Sequence, residues 1–142
     1  MNLQARVEGF ANLGEYLRTS VHQDSAEELF SAEVLNPWFT KENIDNCLDY
    51  WSKQLEVGML KSWLNPYKIK EPVSPKKVLL IMAGNIPLVG FHDFLTVLIS
   101  GHKVVIKMSS SDKVLLKVLI NKLTSIAPNF KNSIFFVDDL KK

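Results

Sequence analysis

A Gly-Asn-x-Pro turn interrupts the most apolar run of the sequence and carries a side chain with catalytic potential. After Lys77, residues 78–82 are apolar without alternation, which predicts a fully buried strand at 77–82. Gly84, Asn85 and Pro87 follow it directly. Asn85 offers a neutral amide donor of the kind that stabilises a developing oxyanion, and Gly84 allows close approach of the backbone to a ligand. The same residues are also good turn formers, so spacing alone leaves an ordinary turn as the alternative.

A second group of polar residues follows the next apolar segment. Lys107 ends the segment Lys103–Lys107, and Ser109 and Ser110 come directly after it. Carboxyl ends of parallel strands share one edge of a sheet, so an ammonium and two hydroxyls would lie at the same edge as the Asn85 turn, where they could hold a ribose or a phosphate. The alternative is a solvated lysine followed by a serine helix cap. The sequence contains neither a G-x-G-x-x-G fingerprint nor a phosphate loop.

The other reactive side chains are better explained by packing. Cys47 lies between Ile44 and Trp51 on an apolar helical stripe, which predicts a buried core thiol and not a nucleophile. His92 and Asp93 are adjacent, and adjacent residues on a helix point about 100° apart, so they are poorly placed to share one substrate proton. We expect them to pack or to hydrogen-bond near the turn. No metal-ligand spacing occurs in the sequence, so we predict no metal site.

Composition narrows the function classes. The chain has 142 residues, of which 46% are hydrophobic and 23% charged, which is typical of a globular protein with a sizeable core. The formal net charge is only +2 and the lysines are scattered among acids, so we expect no nucleic-acid partner. The single cysteine excludes an intramolecular disulfide. The first eight residues lack a secretory signal, and no apolar stretch reaches the roughly 20 residues of a membrane span, so we expect a cytoplasmic protein.

Hydrophobic periodicity predicts three helices in the N-terminal half. Their apolar stripes run from Leu3 to Leu17, from Ile44 to Leu55 and from Met59 to Leu64. Thr40 is a good N-cap for the second helix, and Asn65-Pro66 should end the third. Between the first two helices lie a polar stretch at residues 23–28 and a predicted turn at Asn36–Phe39, and residues 68–76 are predicted to form a connector.

The spacing of apolar residues changes beyond the connector. The predicted elements are a strand at 77–82, a helix from about Leu88 to Ile99, a strand at 103–107, a helix capped within 109–112, and a strand at 132–137. Ser100-Gly101 should stop the first of these helices, and Pro87 should lie in its first turn. Strand, helix, strand, helix, strand is the pattern of a parallel α/β sheet and forms half of a doubly wound nucleotide-binding fold.

The residues around both polar groups resemble one known family. The segments that carry the resemblance are Ala83–Phe94, Ile99–His102 and Ile106–Asp112, together with Asn36–Thr40 and Leu60–Leu64 upstream. They are similar to the LuxC-type acyl-CoA reductases, which supply fatty aldehyde to bacterial luciferase and belong to the aldehyde dehydrogenase superfamily. The resemblance runs along nearly the whole chain.

This resemblance implies roles for the candidate residues. Asn85 corresponds to the superfamily asparagine that holds the thiohemiacetal oxygen, and Lys107 to the lysine that contacts the adenosine ribose. NAD-preferring relatives carry a glutamate where this chain has Ser110, so the resemblance implies NADPH as the cofactor. The backbone of Met82, Ala83 and Gly84 would line the nicotinamide side. A fatty acyl-CoA or acyl-protein thioester is the implied substrate, and further copies of the chain or acyl-transfer proteins are the implied partners.

The chain also departs from the family pattern. Gly84 stands where the superfamily commonly has an aromatic residue, and the family's nucleophilic cysteine lies far downstream of the cofactor lysine, whereas Cys47 precedes it. The resemblance therefore implies the N-terminal portion of a longer reductase.

We expect two parts in this portion, a helical segment at residues 1–70 and the first half of an NADP(H)-binding domain at residues 71–142. Alone, such a portion should be inactive and should expose a sheet edge and apolar patches. The alternative is a non-catalytic nucleotide-binding or interaction module with the same half-fold.

Overall fold

The computed structural model describes residues 1–138, and residues 139–142 lie outside the described part. The N-terminal half is helical. Its helices are α1 (Leu3–Thr19), α2 (Val21–Asp24), α3 (Ala26–Leu35), α4 (Lys41–Gln54) and α5 (Val57–Leu64). The three predicted helices are confirmed as α1, α4 and α5. The hydroxyl oxygen of Thr40 accepts a hydrogen bond from the backbone N–H of Asn43 at 3.1 Å, as expected of the N-cap of α4.

No helix is predicted in the polar stretch between the first two predicted helices, and the structure corrects this. Helices α2 and α3 occupy it, and α3 continues to Leu35. The reason is visible in the burial of α3, where only Leu29 and Ala32 are buried. Phe30, Val34 and Leu35 are apolar but exposed, so the apolar residues of α3 do not form a single stripe and give little hydrophobic periodicity in the sequence.

The C-terminal half contains a three-stranded parallel sheet with connecting helices. The strands are β1 (Lys77–Ile81), β2 (Lys103–Lys107) and β3 (Ile134–Val137) in the order β1-β2-β3, and the connections contain α6 (Phe91–Ile99) and α7 (Leu115–Ile126). Val78 is paired with Val104, which is paired with Ile134. The predicted α/β class with a parallel sheet is confirmed.

The prediction that the first strand is fully buried is wrong. Leu79 and Ile81 are 44% and 66% exposed, and β1 is an edge strand. In the central strand, Val104 and Ile106 are fully buried and alternate with half-buried residues. With strand order β1-β2-β3, right-handed crossovers place α6 and α7 on the same face of the sheet, so one face is packed and the other is open.

Two boundaries differ from the predicted ones. Helix α6 begins at Phe91, after Leu88 has taken a left-handed backbone conformation with φ of 55°, and a helix cannot run through such a residue. Pro87 therefore precedes the first turn and does not lie in it. The predicted stop is confirmed at Gly101, whose φ is +85°. Strand β3 begins at Ile134 because a 3₁₀ helix occupies Pro128–Ser133.

Helix α1 joins the helical half to the sheet half. Phe10 is fully buried, and its ring lies 6.3 Å from that of Phe94 on α6 and 5.3 Å from that of Phe130, both edge-on. One buried cluster thus includes residues from both halves of the chain. In the described part of the chain, no helix is long and apolar enough to cross a bilayer.

A buried arginine fixes the connector on α1. The side chain of Arg6 is 3% exposed, donates to the carbonyl of Ile99 at 2.9 Å, and forms an ion pair with Glu71 at 2.8 Å. Glu71 also accepts from the backbone N–H of Leu3 at 2.7 Å. The Arg6 guanidinium lowers the pKa of the Glu71 carboxyl, with a smaller contribution from the Leu3 N–H.

We expect Glu71→Gln to reduce the free energy of unfolding at pH 7 by about 1 kcal/mol or less, because the carboxylate is half exposed and screened by solvent. A lowered pKa stabilises the fold above the ordinary value of 4.5, and this contribution is lost as the pH falls below that value. Urea unfolding between pH 7 and pH 3 should therefore show that the free energy of unfolding falls less steeply with decreasing pH in the variant than in the wild type. Glu27→Gln, on the exposed face of α3, is the control, and equal slopes in wild type and Glu71→Gln would contradict the prediction.

Candidate functional site

The two polar groups found in the sequence lie at the same edge of the sheet. Ile81 is the register partner of Lys107, and one residue further the N–H of Met82 donates to the Lys107 carbonyl at 2.9 Å. The Asn85 turn therefore leaves β1 beside the end of β2. Asn85 is exposed, and no hydrogen bond joins its side chain to another described residue. Its amide is free to bind a ligand.

Gly84 is buried and packs against the segment that follows β2. A Cβ atom at Gly84 would lie 2.5 Å from the Oγ of Ser109 and 2.7 Å from the Cβ of Ser111. A side chain of any size is therefore excluded unless the loop moves. On the side of Gly84 where a Cβ would lie, the space is occupied by a protein loop. This contact also explains why the chain has no aromatic residue before Asn85.

A buried asparagine joins the two loops. The Nδ2 of Asn36 donates to the carbonyl of Gly84 at 2.8 Å and to the carbonyl of Ser111 at 2.9 Å. Its Oδ1 accepts from the N–H of Trp38 at 3.0 Å, so all three partners of this amide are backbone groups. Asn36 was noticed in the sequence only as part of a turn and of the family resemblance. Its partners lie 48 and 75 residues away, and no local pattern reports such a contact.

The serine segment prepares the start of α7. The carboxylate of Asp112 accepts from the N–H groups of Val114 and Leu115, each at 3.0 Å, and the hydroxyl oxygen of Ser109 accepts from the N–H of Ser111 at 3.1 Å. The predicted capping segment at 109–112 is thus confirmed, with Asp112 supplying the cap. The Ser109 side chain faces Gly84.

A cavity of about 840 Å³ opens beside the end of β2, between α7 and β3. Lys107 and Ser110 line it, whereas Ser109 does not, and Lys113 and Lys117 line it as well. Within residues 1–138, the one carboxylate among the lining residues is that of Asp138. Three ammonium groups against one carboxylate favour an anionic ligand such as a phosphate.

Lys113 and Lys117 were missed in the sequence, although a signal exists. Together with Asn121 they recur every four residues, although only Lys117 and Asn121 lie on α7, where they share one face, and Lys113 precedes the helix. All three line the cavity. The Nζ of Lys117 also lies 5.8 Å from the ring centroid of Phe136 on β3, so the helix and the strand contact each other across this wall.

The remaining candidates at this edge do not line the cavity. Met82 is half buried, and its sulfur fills the space beside Gly90, where an added Cβ would lie 2.1 Å away. Ala83 is exposed. The structure thus groups Lys107 with Ser110 in the cavity, while Ser109 lies with Gly84 in the junction between the loops and Asn85 projects from the turn beside it.

Cys47 is half buried and packs against the core, short of the full burial that was predicted, and the adjacent His92 and Asp93 are both exposed. The thiol of Cys47 donates to the carbonyl of Pro87 at 3.1 Å, and burial raises its pKa to about 11. The His92 ring centroid lies 5.7 Å from that of Trp63 and 6.5 Å from that of Trp51. Among residues 1–138, His, Cys, Asp and Glu side chains form no group of three that could hold a metal ion.

Residues 13–138 match the acyl-CoA reductase (LuxC) family. The chain belongs to that family. Searches of curated proteins and of solved structures found no match. Membership covers both loops of the junction, the cavity and most of the helical half, so the expectation drawn from the sequence resemblance is confirmed at the level of the family.

Cys47 should react slowly with thiol reagents in the native protein. The thiolate is the reactive form, and a pKa raised from 9.0 to about 11 lowers its fraction at pH 8 by about 100-fold. Iodoacetamide labelling followed by mass spectrometry should show this difference between native protein and protein unfolded in guanidinium. Similar labelling rates in the two states would contradict the prediction, because the fold would then not suppress the reactivity of the thiol.

Proposed function

We propose that this chain is the N-terminal part of an acyl-CoA reductase that reduces a fatty acyl thioester to an aldehyde with NADPH. In this proposal the acyl group is carried on a cysteine outside these 142 residues, and residues 71–142 are the first half of the NADP(H)-binding domain. The observation that carries it is the arrangement at one edge of the sheet. There, the amide of Asn85, which has no partner among the described residues, follows β1 beside the end of β2, and a cavity lined by lysines lies at the end of β2.

Asn85 is the proposed oxyanion donor. Attack on a thioester carbonyl, and later reduction of the acyl intermediate, place negative charge on one oxygen, and a fixed N–H donor lowers the energy of that charge. Three features suit Asn85 to the task. Its side chain is exposed, its amide has no partner among the described residues, and the turn that carries it is held by Gly84.

The lysine-lined cavity is the proposed adenosine site. Lys107 would contact the ribose, and Lys113 and Lys117 would meet a phosphate on its 2′ position, which distinguishes NADPH from NADH. Ser110 is neutral, so it does not repel that phosphate. The volume of about 840 Å³ admits a nucleoside monophosphate.

The nicotinamide side is proposed to lie along the backbone of Met82, Ala83 and Gly84, towards Asn85. When bound there, NADPH supplies the hydride that reduces the acyl group. The chain's own contribution is to hold the cofactor and to stabilise the oxyanion. Cys47 cannot act as the nucleophile, because burial raises its pKa and its thiol donates to a backbone carbonyl.

Asn85→Ala in the complete enzyme should lower the rate of acyl transfer by roughly 100-fold, which is typical for loss of one oxyanion donor. Single-turnover acylation by an acyl-CoA is the measurement. Asn129→Ala removes an exposed amide at the opposite edge of the sheet and is the control. A loss below threefold for Asn85→Ala would favour the alternative of a non-catalytic module.

Ser110→Glu should weaken NADPH binding more than NADH binding, because a carboxylate in the cavity would repel the 2′-phosphate. Lys117→Ala should shift the preference in the same direction, since it removes a proposed phosphate partner. Fluorescence titration with both cofactors gives the ratio of dissociation constants, and we expect that ratio to change by about 10-fold or more.

Ser125→Glu introduces the same carboxylate on the exposed face of α7 near its C-terminal end and is the control for Ser110→Glu. It should leave the ratio of the two dissociation constants unchanged. Equal effects of Ser110→Glu on both cofactors would contradict the assignment of the cavity to the 2′-phosphate.

A further inference from the structure

We infer that Asn36 is a positioning residue that sets the place of the Asn85 amide relative to the cofactor cavity. This inference rests on the proposed function. Asn36 touches neither proposed ligand, because it is 3% exposed and its amide is occupied by backbone groups. Its effect on the reaction must therefore pass through the loops that it joins.

The orientation of the Asn36 amide follows from its partners. The carbonyls of Gly84 and Ser111 can only accept, and the N–H of Trp38 can only donate. A flipped amide would place Oδ1 against two carbonyl oxygens, so only one orientation satisfies all three groups. Hydrogen bonds weaken steeply when their angles change, so each of these three bonds restricts the orientation of its backbone partner.

Each of the two carbonyls lies next to a proposed functional element. The Gly84 carbonyl belongs to the peptide that links Gly84 to Asn85, so its direction sets the direction in which the Asn85 turn leaves the sheet. The Ser111 carbonyl belongs to the peptide before Asp112, whose carboxylate caps α7. One NH₂ group therefore holds both the proposed oxyanion turn and the start of the helix that carries Lys117, with Lys113 in the segment just before it.

The contact between the loops needs this bridge. Gly84 lies against Ser109 and Ser111 without a described hydrogen bond to either, and van der Waals contacts resist sliding only weakly. Two hydrogen bonds from a single planar amide do not allow that motion without losing one of them. Asn36→Asp keeps the shape, removes both donors and places a carboxylate oxygen against two carbonyl oxygens, so it opens the bridge with the least change in volume.

The experiment uses the complete enzyme with Asn36→Asp. We expect kcat for acyl-CoA reduction to fall by about 10- to 100-fold, because misplacement of a catalytic group by about 1 Å has that effect. KM for the acyl-CoA should change by less than about threefold, since substrate binding is not removed. Hydrogen exchange should become faster together in residues 83–87 and 109–113.

The control is Asn43→Asp. Asn43 lies in the first turn of α4, its side-chain amide also donates to a backbone carbonyl, that of Trp38 at 3.1 Å, and it touches neither loop. It should leave kcat and both exchange rates unchanged. If Asn36→Asp gives no folded protein, Asn36→Ser replaces it, because serine retains one donor. This variant should show smaller changes in kcat and in hydrogen exchange, in the same direction.

A double variant separates positioning from general destabilisation. If Asn36 acts through Asn85, Asn36→Asp combined with Asn85→Ala should be no more than about threefold slower than Asn85→Ala alone. Fully additive losses, or unchanged exchange in the two loops, would overturn the inference. If Asn85→Ala alone leaves kcat unchanged, the proposed function fails, and the exchange rates then decide separately whether Asn36 joins the loops.

Discussion

The parallel pairing of β1 with β2 is the constraint on which the site depends. Because the register matches Ile81 with Lys107, and the N–H of Met82 donates to the Lys107 carbonyl, the chain leaves both strands at the same point. The two following loops must then share a narrow space. Gly84 permits their contact, and the Asn36 amide uses the two carbonyls that the contact leaves unpaired. The site is thus a consequence of strand register.

Much of this arrangement follows from local sequence. The change of hydrophobic period beyond residue 76 predicts the alternation of strands and helices, and alternation predicts a parallel sheet whose loops meet at one edge. Thr40, Gly101 and the segment 109–112 mark helix ends, because caps and left-handed stops are chemical features of a few neighbouring residues. Both Asn85 and Lys107 could therefore be placed at the sheet edge from the sequence.

The features that escaped prediction depend on distant parts of the chain. Helix α3 forms with only two buried residues, so its periodicity is weak, and the open face of β1 depends on which side α6 and α7 pack. The strand's aliphatic residues fit a two-sided core, yet Leu79 and Ile81 face away from both helices. The Asn36 bridge is the extreme case, since contacts across 48 and 75 residues leave no trace in local patterns.

Two asparagines at this edge illustrate how burial divides chemical roles. Asn36 and Asn85 carry the same amide, but Asn36 is enclosed, and a buried amide without partners is costly, so all its hydrogen-bonding capacity goes to backbone. Asn85 is exposed and remains hydrated, so its donors stay available for a ligand at little cost to folding. A donor that must bind a transient charge needs a fixed backbone but an unpaired side chain. Under the proposed function, the buried amide would satisfy the first requirement and the exposed one the second.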